Sequence, residues 1–355
     1  MEITTIGLDL AKNVFQVHGV DRRGNVVLKK QLKRNQVLSF FANLQSCRVG
    51  MEACASAHYW GRRLLGLGHD VKLMAPQFVK PYVKTNKNDA RDAEAICEAV
   101  SRPNMRFVAL KTPAQQAVLS IHRARQGFVK ARTAQVNQIR GLLGEFGIVM
   151  PQGIRQLPTH LPDILEDAEN ELPGAMRALV HRLWEHFQVL DRQVGELERE
   201  IKRLNCEDEA VQRLTEIPGI GPITASALAA TVGDARAFTN ARQMAAWLGL
   251  VPRQHSSGGK ESLGGISKRG DCYLRSLLVH GARAVVKHAE RKNDNQSHWI
   301  KKLLARRHDN VATVAVANKN ARIAWAILAH GRHFESLHQP RKGEHGLPTG
   351  VRQPA

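Results

Sequence analysis

Two short apolar runs near the start of the chain each finish on a carboxylate: Asp9 in ITTIGLDLAKNVFQVHG and Glu52 in CRVGMEACASAHYW. Apolar runs of this length between turn residues read as buried strands, so both acids fall at strand ends. A third segment, TNKNDARDAEAI, carries Asp89 and Asp92 at i and i+3, a spacing that a helix gathers on one face. NVFQVHGVD, NVVLKKQLK and HDVKLMAP add strand patterns, and HYWGRRLLGLG and NDARDAEAICEAV read as helices. Three early strands followed by strand–helix alternation specify a mixed α/β sheet. Carboxylates that converge repel one another unless a cation lies between them. A cluster holding one or two Mg²⁺ ions is a common device for breaking and joining phosphodiesters. Taken singly, each acid reads more plainly as a turn or cap residue, with Asp89 capping the helix that follows Asn88.

Charge sets the expected partner. The chain has 355 residues, enough for two or three domains, with a formal net charge of +20. Such a surface repels itself and calls for a polyanion. From Val251 onward there are 19 Lys+Arg against 7 Asp+Glu, so the acids lie in the less basic part of the chain. Five scattered cysteines without a CxxC pair argue against a disulfide framework or zinc knuckle. With no basic-then-apolar leader and no membrane-length apolar run, the sequence reads as that of a soluble cytoplasmic protein with no membrane partner.

A long helix is expected over about 113–147, diluted by Arg123, Arg125, Lys130, Arg132 and Arg140, and broken by MPQGIRQLPTHLPD. A second, over about 173–205, places Leu183, Phe187, Leu190, Val194, Leu197, Ile201 and Leu204 at alternating spacings of four and three. That heptad is a coiled-coil seam, turned either to another copy or to a neighbouring helix. From about 209, LTEIPGIGPITASALAATVGD reads as helix, tight turn, helix. WLGLVPRQHSSGGKESLGGISKRGD is Gly/Ser-rich and basic; CYLRSLLVHGARAVVKHAE and NVATVAVANKNARIAWAILAHG are helices, and the tail beyond His338 reads as disordered.

Three further patterns bear on nucleic acid. IPGIGPITA fits a helix–hairpin–helix turn, in which Gly219 and Gly221 permit close approach and the next helix offers free N–H groups to a phosphate; the alternative is an ordinary corner. HSSGGK reads first as a flexible loop, and otherwise as a mobile nucleophilic serine with Arg253, His255, Lys260, Lys268 and Arg269 supplying positive charge. The helix after Asp271 sets Arg275, Arg283 and Lys287 apart from its apolar face, a stripe suited to phosphates or simply to solvent. Tyr273 reads as packing rather than as a nucleophile.

Together GLDLAKNVFQVHG, MEACASAHYW, KNDARDAEAI, IPGIGPITASALAA, ARQMAAWLGLVPRQHSSGGK and ISKRGDCYLRSLL resemble the transposases of the bacterial insertion-sequence family "one-hundred-ten", subgroup "eleven-eleven". These are the DEDD transposases, with the Piv-type DNA invertases as relatives. The resemblance implies a RuvC-like, ribonuclease-H-like domain over 1–108 and a helical coiled-coil region over 109–208. A mostly helical, serine-bearing transposase domain over 209–338 and a tail over 339–355 complete it. It places the family's acids on Asp9, Glu52, Asp89 and Asp92 as Mg²⁺ ligands, and the family's serine on Ser257 rather than Ser256. It further implies donor and target DNA, a structured noncoding guide RNA (a bridge RNA), a homo-oligomer (dimer or tetramer) and a place at the bacterial nucleoid. The competing expectations are a metal-dependent Holliday-junction-type nuclease without a serine nucleophile, and a non-catalytic nucleic-acid-binding protein.

Overall fold

A computed structural model of the chain describes residues 2–84 and 88–334; the expected disordered tail lies outside the described residues. The chain forms two compact units, one built from residues up to Leu119 with Ala230–Ala237, the other from Ser120–Ala229 with the chain from Phe238 on.

The first unit is a six-stranded sheet. In chain order its elements are β1 (Thr5–Leu10), β2 (Val14–Val20), β3 (Val26–Lys33), α1 (Val37–Ala42), β4 (Arg48–Glu52), α2 (Ala57–Gly66), β5 (Asp70–Met74), α3 (Pro76–Val79), α4 (Asp89–Val100) and β6 (Phe107–Val108). The spatial order is β3-β2-β1-β4-β5-β6. The first three strands form an antiparallel meander, β4 lies parallel to β1 and β5 parallel to β4, and β6 closes the far edge antiparallel. The expected mixed α/β sheet is therefore present. At two residues, β6 is too short to leave a periodic signal.

Side-chain alternation divides the sheet into two faces. Ile6, Leu8, Phe15 and Val17 point to one face and pack with Val37, Phe41, Trp60 and Leu64 of α1 and α2. On the other face lies α4, whose Ala95, Ile96, Ala99 and Val100 pack with Met74 and Val79. The contact with α4 is made nearly backbone to backbone. A Cβ at Gly7 would stand 2.1 Å from the Ala93 carbonyl oxygen, and one at Gly50 2.7 Å from Val100 Cβ. These two glycines let the helix settle into the sheet and fix where its first turn falls.

The second unit is helical apart from one hairpin. It contains most of α5 (Pro113–Gly144), then α6 (Gln156–Glu166), α7 (Gly174–Asn205), α8 (Glu209–Thr215), most of α9 (Pro222–Val232), α10 (Ala241–Trp247), β7 (Pro252–Gln254), β8 (Leu263–Ile266), α11 (Cys272–His288), α12 (Asn295–Leu304) and α13 (Asp309–His330). The proline-containing stretch interrupts the helix as read, with α5 ending at Gly144, but a separate short helix starts within it at Gln156. Leu157 and Leu161 are fully buried there, and burial outweighs the hydrogen bond lost at Pro162. On α7, Phe187 of the heptad seam is buried with Val136, Ile139 and Leu143 of α5. Arg125–Glu198 and Arg132–Asp191 ion pairs lie along the same two helices, which run antiparallel. Leu204, at the end of the seam, is exposed.

Candidate active site

The strand register explains why the acids converge. Gly7 of β1 pairs with Gly50 of β4 in the parallel ladder, so Asp9 and Glu52, each two residues on, fall in the same row at the carboxyl ends of adjacent strands. Period two puts them on the face of Gly7 and Gly50, which is the face α4 covers. Asn88 caps α4 by accepting the Ala90 N–H at 3.0 Å, and Asp89 and Asp92 occupy the first turn. The cap expected of Asp89 thus belongs to Asn88, which leaves the Asp89 carboxylate free of that duty. Because Ala93 rests on Gly7, that first turn lies toward Asp9.

The electrostatics carry the signature of this convergence. Asp9 is pushed up to about 6 from the usual carboxylate value, first by burial and then by the charges of Asp92, Asp89 and Glu52. Each like charge within a few ångströms disfavours ionisation of the next. Cys54, in the turn after β4, also feels the cluster: burial raises its pKa, and Glu52 and Asp9 add to the rise. Among the described residues, no three His, Cys, Asp or Glu side chains close into a metal shell as they stand. The donor set nevertheless suits a hard divalent cation: the ligands are carboxylate oxygens, and the repulsion concentrated on Asp9 is what such an ion relieves.

The serine lies in the second unit, and the segment read as a loop lies in a hairpin. β7 and β8 form an antiparallel hairpin, and a Ser257–Lys260 bridge continues it to a two-residue turn. Lys260 donates to the Ser257 carbonyl at 3.1 Å, and Gly258 and Gly259 have φ of 56° and 77°. Positive φ at both central positions is what a type I′ turn requires, and Gly-Gly supplies it without strain. Ser256 and Ser257 point to opposite faces. The Ser256 hydroxyl accepts from Gln254 Nε2 at 3.0 Å, whereas the Ser257 hydroxyl is exposed and has no hydrogen-bond partner among the described residues.

The base of the hairpin is clamped. Ser267 and Lys268 donate to the carbonyls of Val251 and Gly249 at 2.8 and 3.1 Å. A Cβ at Gly249 would lie 2.1 Å from the Arg269 oxygen, and one at Gly270 1.9 Å from the Trp247 oxygen. The segments GLVPR and SKRGD are therefore pressed together backbone on backbone, an arrangement that neither segment announces alone.

The basic residues named from the sequence divide into two groups. Arg253, Lys260, Lys268, Arg269 and Arg283 are exposed. Arg275 is half-buried and donates to the Leu248 carbonyl at 3.2 Å and to Cys272 Sγ at 3.0 Å. In the turn between α8 and α9, Gly221 is open to solvent. Gly219 instead packs on α11: a Cβ at Gly281 would lie 1.8 Å from the Gly219 oxygen. Two buried amides anchor the turn, Asn320 donating to Pro218 O at 2.8 Å and Asn205 to Pro222 O at 2.9 Å. Tyr273 serves packing, as read, and its hydroxyl also joins a buried chain. It lies 3.0 Å from His122 Nδ1, and His122 Nε2 lies 3.2 Å from Ser226 Oγ.

Comparison with known proteins bears on both units. A DEDD transposase model of the IS110 type matches residues 6–148, and the model described as "Transposase IS116/IS110/IS902 family" matches residues 211–298. A probable family 20 transposase of Pseudomonas aeruginosa is 56% identical over 93% of this chain and 98% of its own length. The transposase for insertion sequence element IS1328 of Yersinia enterocolitica is 47% identical over 94% of this chain and 98% of its own. The chain belongs to the IS110/IS116 family of DEDD transposases. The transposase for IS1111A of Coxiella burnetii is 47% identical over 92% of this chain and 90% of its own. As a transposase of an insertion sequence, the protein is an enzyme that cuts and rejoins DNA, and its DEDD-type domain goes with dependence on a divalent metal. No helix among the described residues is long and apolar enough to cross a membrane.

Proposed function

We propose that this transposase breaks DNA by attack of the Ser257 hydroxyl on a phosphodiester, with Asp9, Glu52, Asp89 and Asp92 forming the metal-binding centre of the same reaction. The observation that carries the reading is the convergence of Glu52, Asp89 and Asp92 on Asp9, through the register of β1 on β4 and the seating of α4 at Gly7; burial first, and then these three charges, raise the Asp9 pKa. Bound there, Mg²⁺ supplies Lewis-acid stabilisation of the charge that develops on phosphate oxygens. The Ser257 oxygen forms the new bond to phosphorus, its proton leaves, and one DNA strand end departs as a hydroxyl. Because one phosphate ester replaces another, the later attack of a DNA hydroxyl on the phosphoserine rejoins a strand without an energy source.

The exposed cations Arg253, Lys260, Lys268 and Arg269, near the hairpin in sequence, hold the phosphate backbone, with Arg283 and the open N-terminus of α9 at Gly221 contributing further contacts. Gly219 and Arg275 act one step back, by holding the turn on α11 and the helix start in place. In this reading residues 1–108 carry the metal chemistry and 209–338 the nucleophile. Residues 109–208 mediate assembly as a dimer or tetramer, and a structured noncoding RNA selects donor and target DNA at the nucleoid.

The test is a nicked DNA substrate that traps the covalent intermediate. The native protein gives a protein–DNA adduct that survives denaturation, Ser256→Ala retains it, and Ser257→Ala and Asp9→Ala abolish it. An undiminished adduct with Ser257→Ala rejects the serine, and a metal-dependent nuclease using water or a DNA 3′-OH takes its place. A discrete RNA of defined sequence that copurifies with the protein supports guidance; only random host RNA argues against it.

A further inference from the structure

One feature of the second unit has no part in the chemistry above. Alongside the hairpin base, a groove of about 1100 Å³ opens between β8 and one face of α13. The helix presents Val311, Val314, Ala315, Asn318, Lys319, Arg322, Ile323 and Ala326 to it. These positions step by three and one, the pattern of a single helical stripe. Such a stripe is normally buried, yet here Val311 is 52% exposed, and Val314, Ala315 and Ile323 are part-exposed. Across the groove, the backbone of Gly264 and Gly265 forms a wall without side chains.

Two cations are set into this apolar surface. Lys319 is half-buried, and its ammonium lies over the Trp299 ring, 4.6 Å from the centroid. Burial lowers its pKa, and the adjacent Arg322 lowers it further. Neither cation forms an ion pair with a carboxylate among the described residues. Two like charges, one of them partly desolvated and held only by an indole, are a standing cost that an anion removes. The groove therefore asks for a ligand with a flat apolar body and an anion attached. Its volume slightly exceeds the usual range for small-ligand pockets, leaving room for the strand on either side of one base.

We propose that this groove receives one unstacked nucleotide of a nucleic-acid strand, its base against Val314, Ile323 and Ile266 and its phosphate on Lys319 and Arg322. A nucleotide supplies both halves, the base its apolar body and the phosphate its anion, and a strand held at the serine hairpin brings one within reach. Withdrawing a base from its stack at the point of cleavage costs a few kcal/mol, which the groove returns through burial and the charge pair. The inference rests on the nucleic-acid reading of this unit and adds to it a site for a single base.

The experiment compares the full-length protein on three fluorescent probes: a plain DNA duplex, the same duplex with one bulged 2-aminopurine nucleotide, and a bulged RNA duplex. The bulged probes bind more tightly than the plain one by roughly 5- to 100-fold, the order of magnitude for one base moved from water to an apolar site with its phosphate on two cations. Binding also changes the 2-aminopurine emission. Ala315→Phe, which fills the groove, and Lys319→Gln with Arg322→Gln, which removes its charge, each bring the bulged probe down to the affinity of the plain duplex. A preference between the DNA and RNA bulges assigns the source of the base, and either supports the site. Equal affinity for plain and bulged duplexes, with unchanged emission, overturns the groove while leaving backbone binding intact. Failure to bind even the plain duplex overturns the underlying reading instead. An advantage for the bulge that survives both variants places the base elsewhere and also overturns the proposal.

Discussion

The acidic centre and the serine hairpin are built by opposite strategies. In the first unit the functional groups grow out of regular elements in close backbone contact, with α4 lowered onto β1 and β4 through Gly7 and Gly50. Four carboxylates are thereby fixed against their own repulsion. In the second unit the base is held by the Gly249 and Gly270 contacts, and the Ser257 hydroxyl stands exposed beside the two-residue turn with no hydrogen-bond partner among the described residues. One region concentrates carboxylate repulsion on a half-buried Asp9; the other presents a hydroxyl on an unstrained Gly-Gly turn. Under the proposed function a hydroxyl without a base beside it is a weak nucleophile, so Ser257 would react only once substrate and metal are assembled around it.

The steric side of this contrast yields the largest changes in stability. Gly7→Ala drives a Cβ into the Ala93 carbonyl, and Gly281→Ala drives one into the Gly219 carbonyl. Each costs about 3 kcal/mol or more. They differ in what fails: Gly7→Ala lifts α4 and frees Asp9 from Asp89 and Asp92, so the Asp9 pKa read by carbon-13 NMR falls back toward the ordinary value. Gly281→Ala leaves that titration unchanged. Gly221→Ala, where a Cβ meets nothing within 4 Å, shifts the denaturation midpoint by less than about 0.5 kcal/mol. A costly Gly221→Ala would show that the turn is not open.

A smaller effect tests the stored strain directly. A raised carboxylate pKa means that ionisation opposes folding, so Asp9→Asn stabilises the metal-free protein at pH 7. The gain is about 1–2 kcal/mol once solvent screening is allowed for. Chemical denaturation in chelator measures it. A loss of stability on that substitution would show that the quartet is not repulsive.

The smallest effect is a divergence with pH. Burial, and after it Arg125, lowers the His122 pKa to about 4. The folded state thus favours neutral His122, and the associated stability, present above about 6.5, is lost as pH falls toward 4. Asp9 behaves in the opposite sense: its destabilising charge disappears as pH falls through about 6 toward 3.8. Between pH 6.5 and 4, hydrogen-exchange protection factors, corrected for the intrinsic pH dependence of exchange, should therefore rise in β1 and α4 and fall in α5 and α11 around His122. Parallel responses in the two regions would contradict these assignments.

The parts legible in the sequence are those governed by local period. β1, β4 and the i, i+3 acids of α4 follow from alternation and helical spacing, and the register of two strands then converts sequence position into proximity. What escaped depends on distant partners. Gly7 and Gly50 matter because α4 lies above them, and nothing near them in sequence says so. The hairpin around Ser257 was read as a loop because its strands are short and exposed, without the β-branched alternation that marks a strand, although Gly-Gly at its tip is a turn signal in its own right. The helix at Gln156–Glu166 was hidden by its prolines, and the groove beside α13 by a stripe indistinguishable from a core-facing one. Arg275 illustrates the remaining difficulty: a basic stripe looks alike whether its members face solvent or fold back onto the backbone.

The tight join between Gly249 and Arg269, and between Gly270 and Trp247, also has an engineering consequence. Whoever exchanges the serine hairpin between related chains cannot cut at its visible ends. The portable piece runs from Trp247 to Asp271, and a graft that carries one seam without the other will not close.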